Sequence, residues 1–218
     1  MLGNKPQFIT LCLENKVLLF GDFILKSGKK SHYFFNAGLF HNNQAITLLG
    51  EFYADNIFKN IIQQNIQFDC LFGPAYKGIP LATATAIALH RKYNYQTSIS
   101  FNRKETKDHG EGGNIIGQDL TNKKVLLIDD VMSAGTATKE SIHILNQFNA
   151  QIVGIMIALN RQERSSNKKY QIISDEIFDQ YKIPIYSIIT LDDIIVYTKN
   201  CKEYQSYYPL LAGKNLDS

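Results

Sequence analysis

Short apolar segments alternate with segments of helical periodicity from about residue 44 onwards, and no other feature of the sequence constrains the fold as strongly. Apolar residues recur every three or four positions from Ile46 to Ile61, which predicts an amphipathic helix. Two further helices are predicted over 79–93 and 137–148. Five apolar segments predict strands, at 68–72, 97–101, 124–130, 151–159 and 185–191. This alternation predicts an α/β fold with a parallel five-stranded sheet flanked by helices on both faces.

Two parts of the chain fall outside the alternation. A β-hairpin is predicted within residues 20–37, with its turn at 27–30. We expect it to form a small cap over the sheet, as part of an N-terminal segment 1–43 that precedes a core over 44–200. Segment 104–114, KETKDHGEGGN, contains three glycines and no large apolar residue, so we expect a mobile lid loop without an anchor in the core.

Length and composition exclude several classes of protein. The 218 residues fit a single domain, and a hydrophobic content of 44% is enough for a core. A net charge of +3 is too small for a dedicated nucleic-acid-binding protein, and the longest apolar run, 152–159, is far shorter than the roughly 18 residues of a membrane span. The three cysteines are too widely spaced for a CxxC zinc site or a disulfide framework, and the N-terminus has no signal-peptide core. We therefore expect a cytoplasmic protein that binds neither nucleic acid nor membranes.

The end of the third predicted strand carries the strongest functional signal. Asp129 and Asp130 end this strand, small residues follow at 133–137, and a helix begins directly after them. Ligands of an open parallel sheet bind beyond the carboxyl ends of its strands, where a small-residue loop and a helix N-terminus favour a phosphate group. Two carboxylates would repel that phosphate unless they bind hydroxyl groups or a cation. A phosphorylated sugar satisfies both requirements, whereas an ordinary strand–helix turn with a capping aspartate is the structural alternative.

This stretch resembles the diphosphoribose-binding signature of the type I phosphoribosyltransferases, which it matches over 129–136, DDVMSAGT. Four further motifs are similar to those of the orotate phosphoribosyltransferase family: LKSG with YFFN at 25–28 and 33–36, GPAYKG at 73–78, RKETKDHGEG at 103–112, and RQER at 161–164. The resemblance implies the type I phosphoribosyltransferase fold. It also implies transfer of the 5-phosphoribosyl group from phosphoribosyl diphosphate to orotate, which gives orotidine 5′-monophosphate and pyrophosphate in de novo pyrimidine (UMP) biosynthesis.

The same resemblance implies roles for individual residues. Binding of phosphoribosyl diphosphate is implied for Lys26, Tyr76, Lys77, Arg103, Lys104, Lys107, His109, Asp129, Asp130, Val131, Met132, Ser133, Ala134, Gly135, Thr136 and Ala137. Binding of orotate is implied for Phe34, Phe35, Ser133 and Arg161. Catalytic roles are implied for Asp129 and Asp130, and for Lys26 or Lys107 in proton balance or departure of the leaving group. No side-chain metal site is implied, because Mg²⁺ would be bound mainly through phosphoribosyl diphosphate. A homodimer is implied, in which the lid loop 104–114 acts in the partner's site.

Most of these residues also have a purely structural interpretation. Lys26 and Lys77 would be solvated lysines of a hairpin and a turn, and Arg161 would form a surface ion pair with Glu163. The two phenylalanines of the hairpin would pack in the core. The charges of the lid would be solvated, and His109 would then have no role.

Three positions depart from the family's pattern, and two other functions remain open. His32, Ser133 and Asn160 stand where relatives often carry proline, threonine and aspartate. The last of these precedes Arg161 and therefore affects how that side chain is positioned. A phosphoribosyltransferase for another base would share the signature but not the hairpin motif or Arg161. A non-catalytic regulator that senses phosphoribosyl diphosphate would need a DNA-binding extension.

Overall fold

The computed structural model describes residues 4–25, 28–105, 114–167 and 169–217. The strands are β1 Leu18–Ile24, β2 Lys30–Phe35, β3 Cys70–Phe72, β4 Ser98–Asn102, β5 Ile115–Gly117, β6 Lys124–Met132, β7 Gln151–Asn160 and β8 Ile185–Thr190. The helices are α1 Lys5–Glu14, α2 Asn43–Asn60, α3 Gly78–Tyr93, α4 Thr136–Asn146, α5 Ile173–Tyr181, α6 Leu191–Asn200 and α7 Tyr208–Asp217. Within these ranges, no helix combines the length and the apolar character that crossing a membrane requires.

The central sheet has six strands in the order β5-β4-β3-β6-β7-β8. Five of them, β3, β4, β6, β7 and β8, run parallel to their neighbours, as the sequence predicts. The sixth, β5, pairs antiparallel with β4 at the edge of the sheet and lies outside the predicted elements. Only two of its three residues are apolar, so β5 lacks the apolar run by which the sequence predicts the other strands.

Side chains of β6 alternate between two hydrophobic layers, because successive residues of a strand point to opposite faces of a sheet. Leu126 and Ile128 belong to the cluster that contains the buried faces of α2 and α3. Val125 and Leu127 belong to the cluster that contains α4 and α5. The strand is therefore buried on both faces, which explains its continuous apolar sequence. The same alternation directs the two aspartates at its end to opposite faces.

The predicted hairpin is present as β1 and β2, which pair antiparallel with Leu18 opposite Phe35 and Phe20 opposite Tyr33. The inward side chains of β2, among them Ser31, Tyr33 and Phe35, are buried. Helix α1 precedes this hairpin and is not among the predicted elements. It buries the ring of Phe8 against Phe52 of α2, with 5.0 Å between the ring centroids. The N-terminal segment thus packs against the core and places the hairpin over the sheet.

Candidate active site

The carboxyl end of β6 brings both predicted aspartates together with a lysine from a neighbouring loop. Asp129 is 8% exposed, and its Oδ1 accepts the main-chain N–H of Asp130 at 2.8 Å. Oδ1 of the half-buried Asp130 accepts the N–H of Val131, also at 2.8 Å. Its other oxygen, Oδ2, lies 2.8 Å from Nζ of Lys77, which forms an ion pair with it. The structure therefore groups three residues that the sequence assigns to one ligand.

The electrostatics of this pair favour a ligand with hydroxyl donors or positive charge. Burial, and after it the charge of Asp130, raise the pKa of the Asp129 carboxyl from its ordinary 3.8 to about 7. Lys77 acts in the opposite direction, because its positive charge favours the ionised carboxylate. Donors that approach these oxygens would relieve the repulsion between the two carboxylates.

The loop after β6 reaches α4 through Gly135, which has a left-handed φ of +75°. A Cβ at this position would lie 2.8 Å from Cδ1 of Ile177, so both the backbone and the packing require glycine. The adjoining small residues are accessible: Ala134, Thr136 and Ala137 are exposed. Because the first N–H groups of a helix have no acceptor within it, the start of α4 can bind a phosphate group.

The loop 73–78, which carries the GPAYKG motif, begins and ends at glycines whose backbones approach each other closely. A Cβ on Gly73 would lie 2.1 Å from the carbonyl oxygen of Gly78, and a Cβ on Gly78 would lie 2.6 Å from the carbonyl carbon of Gly73. The loop is also held by Asn102 of β4, whose Oδ1 accepts the N–H of Ala75 at 2.9 Å. Asn102 is not among the residues predicted from the sequence, where it stands out only as a polar residue at the end of a short strand.

The structure describes the two ends of the predicted lid. The N–H of Arg103 donates to the carbonyl of Asn114 at 2.7 Å, which closes the base of the lid. Nε of Arg103 is buried and has no hydrogen-bond partner among the described residues. Nζ of Lys104 lies 5.2 Å from the ring centroid of Tyr76, which is 65% exposed beside Lys77. Three predicted residues lie outside the described part of the chain: Lys26, Lys107 and His109.

Arg161 follows β7 and lies beneath the cap. It is 9% exposed, and its guanidinium carbon is 4.5 Å from the ring centroid of Tyr33. Nε donates to Oε1 of Glu163 at 3.0 Å, and the main-chain N–H donates to the carbonyl of Met132 at 3.1 Å. The ion pair with Glu163 is therefore present, but it lies largely away from solvent rather than on the surface. Arg161 lines a cavity of about 710 Å³ between the cap, the loop after β7 and the start of α6.

The residue before Arg161 anchors the turn that carries this side chain. Oδ1 of Asn160 accepts the N–H of Gln162 at 2.9 Å, and its Nδ2 donates to Oγ of Ser174 at 3.2 Å. An asparagine thus holds the turn through both ends of its amide, where relatives often have an aspartate.

The two phenylalanines of the hairpin face opposite ways. Phe35 is buried in the core, whereas Phe34 is partly exposed and its ring stacks on Phe23 at 5.5 Å between centroids. Because adjacent residues of a strand alternate in direction, both rings cannot contact one ligand from the same side. Contacts that this pair makes together would come from its main chain.

The chain belongs to the phosphoribosyltransferases, because residues 38–185 match the family model of the phosphoribosyl transferase domain. This match covers more than half of the chain and includes the acidic end of β6, the loop 73–78 and the base of the lid. The chain is 49% identical to an orotate phosphoribosyltransferase of Hamiltonella defensa, over 93% of this chain and 89% of the relative. It is 45% identical to the orotate phosphoribosyltransferase of Mannheimia succiniciproducens, over 98% of this chain and 96% of that relative. These similarities show that it belongs to the orotate phosphoribosyltransferase family.

A solved structure agrees with this assignment. The crystal structure of orotate phosphoribosyltransferase from Francisella tularensis matches the chain with a TM-score of 0.79 at 40% identity, over 95% of this chain and 94% of that one. The type I phosphoribosyltransferase fold predicted from the sequence is confirmed, with one short antiparallel strand added to the five predicted.

Proposed function

We propose that this protein transfers the 5-phosphoribosyl group from phosphoribosyl diphosphate to orotate, with orotidine 5′-monophosphate and pyrophosphate as products, in de novo pyrimidine biosynthesis. The observation that carries the proposal is the arrangement at the carboxyl ends of two adjacent strands. The acidic pair lies at the carboxyl end of β6, the start of α4 follows that strand, and the buried Arg161 follows β7. One ligand with ribose hydroxyls and a phosphate, and a second with a carboxylate, fit these groups side by side.

The acidic pair would bind the ribose. Asp129 and Asp130 accept hydrogen bonds from its hydroxyls, while the 5-phosphate binds at the start of α4. Nζ of Lys77 lies 2.8 Å from Oδ2 of Asp130, so a ribose hydroxyl bound at this oxygen would lie beside the ammonium group. As the bond between the anomeric carbon and pyrophosphate loosens, positive charge develops on the ribose, and the two carboxylates stabilise it.

Positive side chains would bind the departing pyrophosphate. Lys77 belongs to the loop 73–78, Nζ of Lys104 lies over the ring of Tyr76 in the same loop, and Arg103 follows Asn102, which holds this loop. Nε of Arg103 is buried without a partner among the described residues, and such a donor would gain a hydrogen bond from a phosphate oxygen. Lys26 or Lys107 would assist proton balance or departure of the leaving group.

Mg²⁺, carried mainly by phosphoribosyl diphosphate, would neutralise part of the charge on the pyrophosphate. Among the described residues, no three His, Cys, Asp or Glu side chains are grouped to hold a metal ion, and the acidic pair supplies two carboxylates only. This donor set fits an ion that arrives with a substrate better than a resident one.

Arg161 would fix the orientation of orotate. A planar guanidinium suits a carboxylate or carbonyl edge, and that of Arg161 is oriented by Glu163, which accepts from Nε, and by Ser31, whose Oγ lies 3.5 Å from Nη2. The half-buried Ser133 offers a hydroxyl from the phosphate loop, and the main chain of Phe34 and Phe35 offers further polar groups. With these contacts the ring nitrogen of orotate would lie in line with the anomeric carbon.

The enzyme would act as a cytoplasmic homodimer whose lid enters the partner's site. An apolar surface on α2 and α3 supports the dimer: Ile46, Ile79, Pro80 and the 55% exposed Ile87 surround a cavity of about 550 Å³. This surface begins at the first turn of α3, directly after the loop 73–78, so a partner bound there would lie beside the pyrophosphate site.

Three free cysteines, two of them buried, agree with a reducing compartment.

Turnover of different bases tests the proposal. Purified protein is incubated with phosphoribosyl diphosphate, Mg²⁺ and either orotate, uracil or hypoxanthine, and release of pyrophosphate is measured. We expect turnover with orotate alone. Turnover of uracil or hypoxanthine in place of orotate would indicate another member of the superfamily, and binding of phosphoribosyl diphosphate without any turnover would indicate a sensor.

A further inference from the structure

Tyr53 is a fully buried residue of α2 whose side chain reaches the carboxyl end of the sheet. Its hydroxyl donates to the main-chain carbonyl of Asp129 at 2.7 Å, and the main-chain N–H of Ala158 acts on the same hydroxyl and lowers its pKa. The first of these residues belongs to β6 and the second to β7. A single side chain therefore bridges the two central strands through their backbones.

The bridge lies between the regions assigned to the two substrates. Asp129 pairs with Ile157 in the register of β6 and β7, so the Tyr53 hydroxyl joins the sheet at the level of the acidic pair. Ala158 is three residues from Arg161 along the chain. One hydroxyl thus connects the end of β6, which would hold the ribose, with the end of β7, which would hold the base.

The hydroxyl of Tyr53 is protonated at neutral pH. Burial raises the pKa of the Tyr53 phenol well above its ordinary value, and the charges of Asp130 and Asp129 add to this effect. The group therefore remains a donor to the carbonyl of Asp129. It contacts main chain rather than the substrate region, so it acts through the strands.

We infer that Tyr53 is a positioning residue for the transfer reaction, which holds the ends of β6 and β7 at the separation that aligns the ribose with the base. This inference rests on the proposed function. In-line attack requires the reacting atoms to lie about 3–3.5 Å apart, so a small shift between the strands slows the chemical step more than it weakens the binding of either substrate.

The test is Tyr53→Phe, which keeps the ring and its packing and removes the hydroxyl. We expect kcat to fall about tenfold, whereas KM for orotate and for phosphoribosyl diphosphate each change less than about twofold. Tyr95→Phe is the matched control. The Tyr95 hydroxyl donates to the carbonyl of Phe68 at 3.1 Å and accepts the N–H of the same residue at 3.4 Å. Phe68 precedes the amino end of β3, whereas the candidate site lies at the carboxyl ends of the strands, so removal of this hydroxyl should leave kcat unchanged.

A donor restored at the same position provides the second variant. Tyr53→4-aminophenylalanine should recover most of the wild-type kcat, and it tests the bridge even where Tyr53→Phe does not accumulate as folded protein. Wild-type protein that does not turn over orotate would overturn the proposed function itself. If the wild type is active, any of three results would overturn the positioning role alone. These are a wild-type kcat in Tyr53→Phe, an equal loss of kcat in Tyr95→Phe, or a 4-aminophenylalanine variant as slow as Tyr53→Phe.

Discussion

Asp129→Asn is expected to make the protein more stable and less active, and the gain in stability should depend on pH. The carboxyl has a pKa of about 7 in the folded protein against an ordinary 3.8, because burial and the charge of Asp130 disfavour its ionised form. At about 1.36 kcal/mol per pKa unit, this difference corresponds to at most about 4 kcal/mol. An asparagine oxygen can still accept the N–H of Asp130, so the local hydrogen bond is retained.

The sign follows from where the proton is lost. Below pH 3.8 the carboxyl is protonated in both the folded and the unfolded chain, so the substitution changes the free energy of unfolding little. Between pH 3.8 and about 7 the unfolded chain releases its proton first, and the wild type loses stability relative to the variant. Above pH 7 the full difference is present. The measurement is urea unfolding followed by circular dichroism from pH 4.5 to 8.5 at one protein concentration.

Asp119, whose pKa is lowered rather than raised, serves as the control. The pKa of Asp119 is lowered by hydrogen bonds from the N–H and hydroxyl of Thr121, so Asp119→Asn should gain no stability as the pH rises. A stability difference for Asp129→Asn that stays constant from pH 4.5 to 8.5 would refute the electrostatic reasoning. So would a variant that is less stable than wild type at pH 8.

Two single substitutions and one refolding experiment test separate parts of the site. Arg161→Ala should weaken the binding of orotate by about 2–3 kcal/mol and the binding of phosphoribosyl diphosphate far less, measured as the two KM values; equal losses for both substrates would indicate a structural role. Gly135→Ala should lower the free energy of unfolding by about 1–3 kcal/mol, because the residue has a φ of +75° and contacts Ile177; an unchanged denaturation midpoint would contradict this. Refolding two inactive double variants together should restore about a quarter of the sites if the lid acts across a dimer, and none if it acts within one subunit, provided that mixed dimers are confirmed by mass. These variants are Lys104→Ala with Lys107→Ala, and Asp129→Asn with Asp130→Asn.

The sequence predicts the parallel strands and the acidic pair because both depend on local pattern. Continuous apolar runs mark buried strands, and two aspartates at the end of such a run stand at the edge where ligands bind. The ion pair between Lys77 and Asp130 could not be predicted, since the two residues are brought together only by the pairing of β3 with β6. Tyr53 reads in the sequence as one more apolar residue of an amphipathic helix. Its bridge between β6 and β7 depends on sheet register, which no local pattern specifies.

The alternation of β6 between two hydrophobic layers makes the length of this strand more restrictive than its composition. Exchanges among Val, Leu and Ile along 125–128 would leave both layers apolar. Insertion or deletion of one residue there would also keep each layer apolar, because either cluster accepts an aliphatic side chain. It would, however, turn Asp129 and Asp130 to each other's faces and displace them by about 3.3 Å along the strand. An insertion would place Asp129 opposite Lys77 and an apolar residue at the buried acidic position, whereas a deletion would place Asp130 at the buried position and Val131 opposite Lys77. Evolution or design can therefore vary what β6 is made of, but not how many residues it contains.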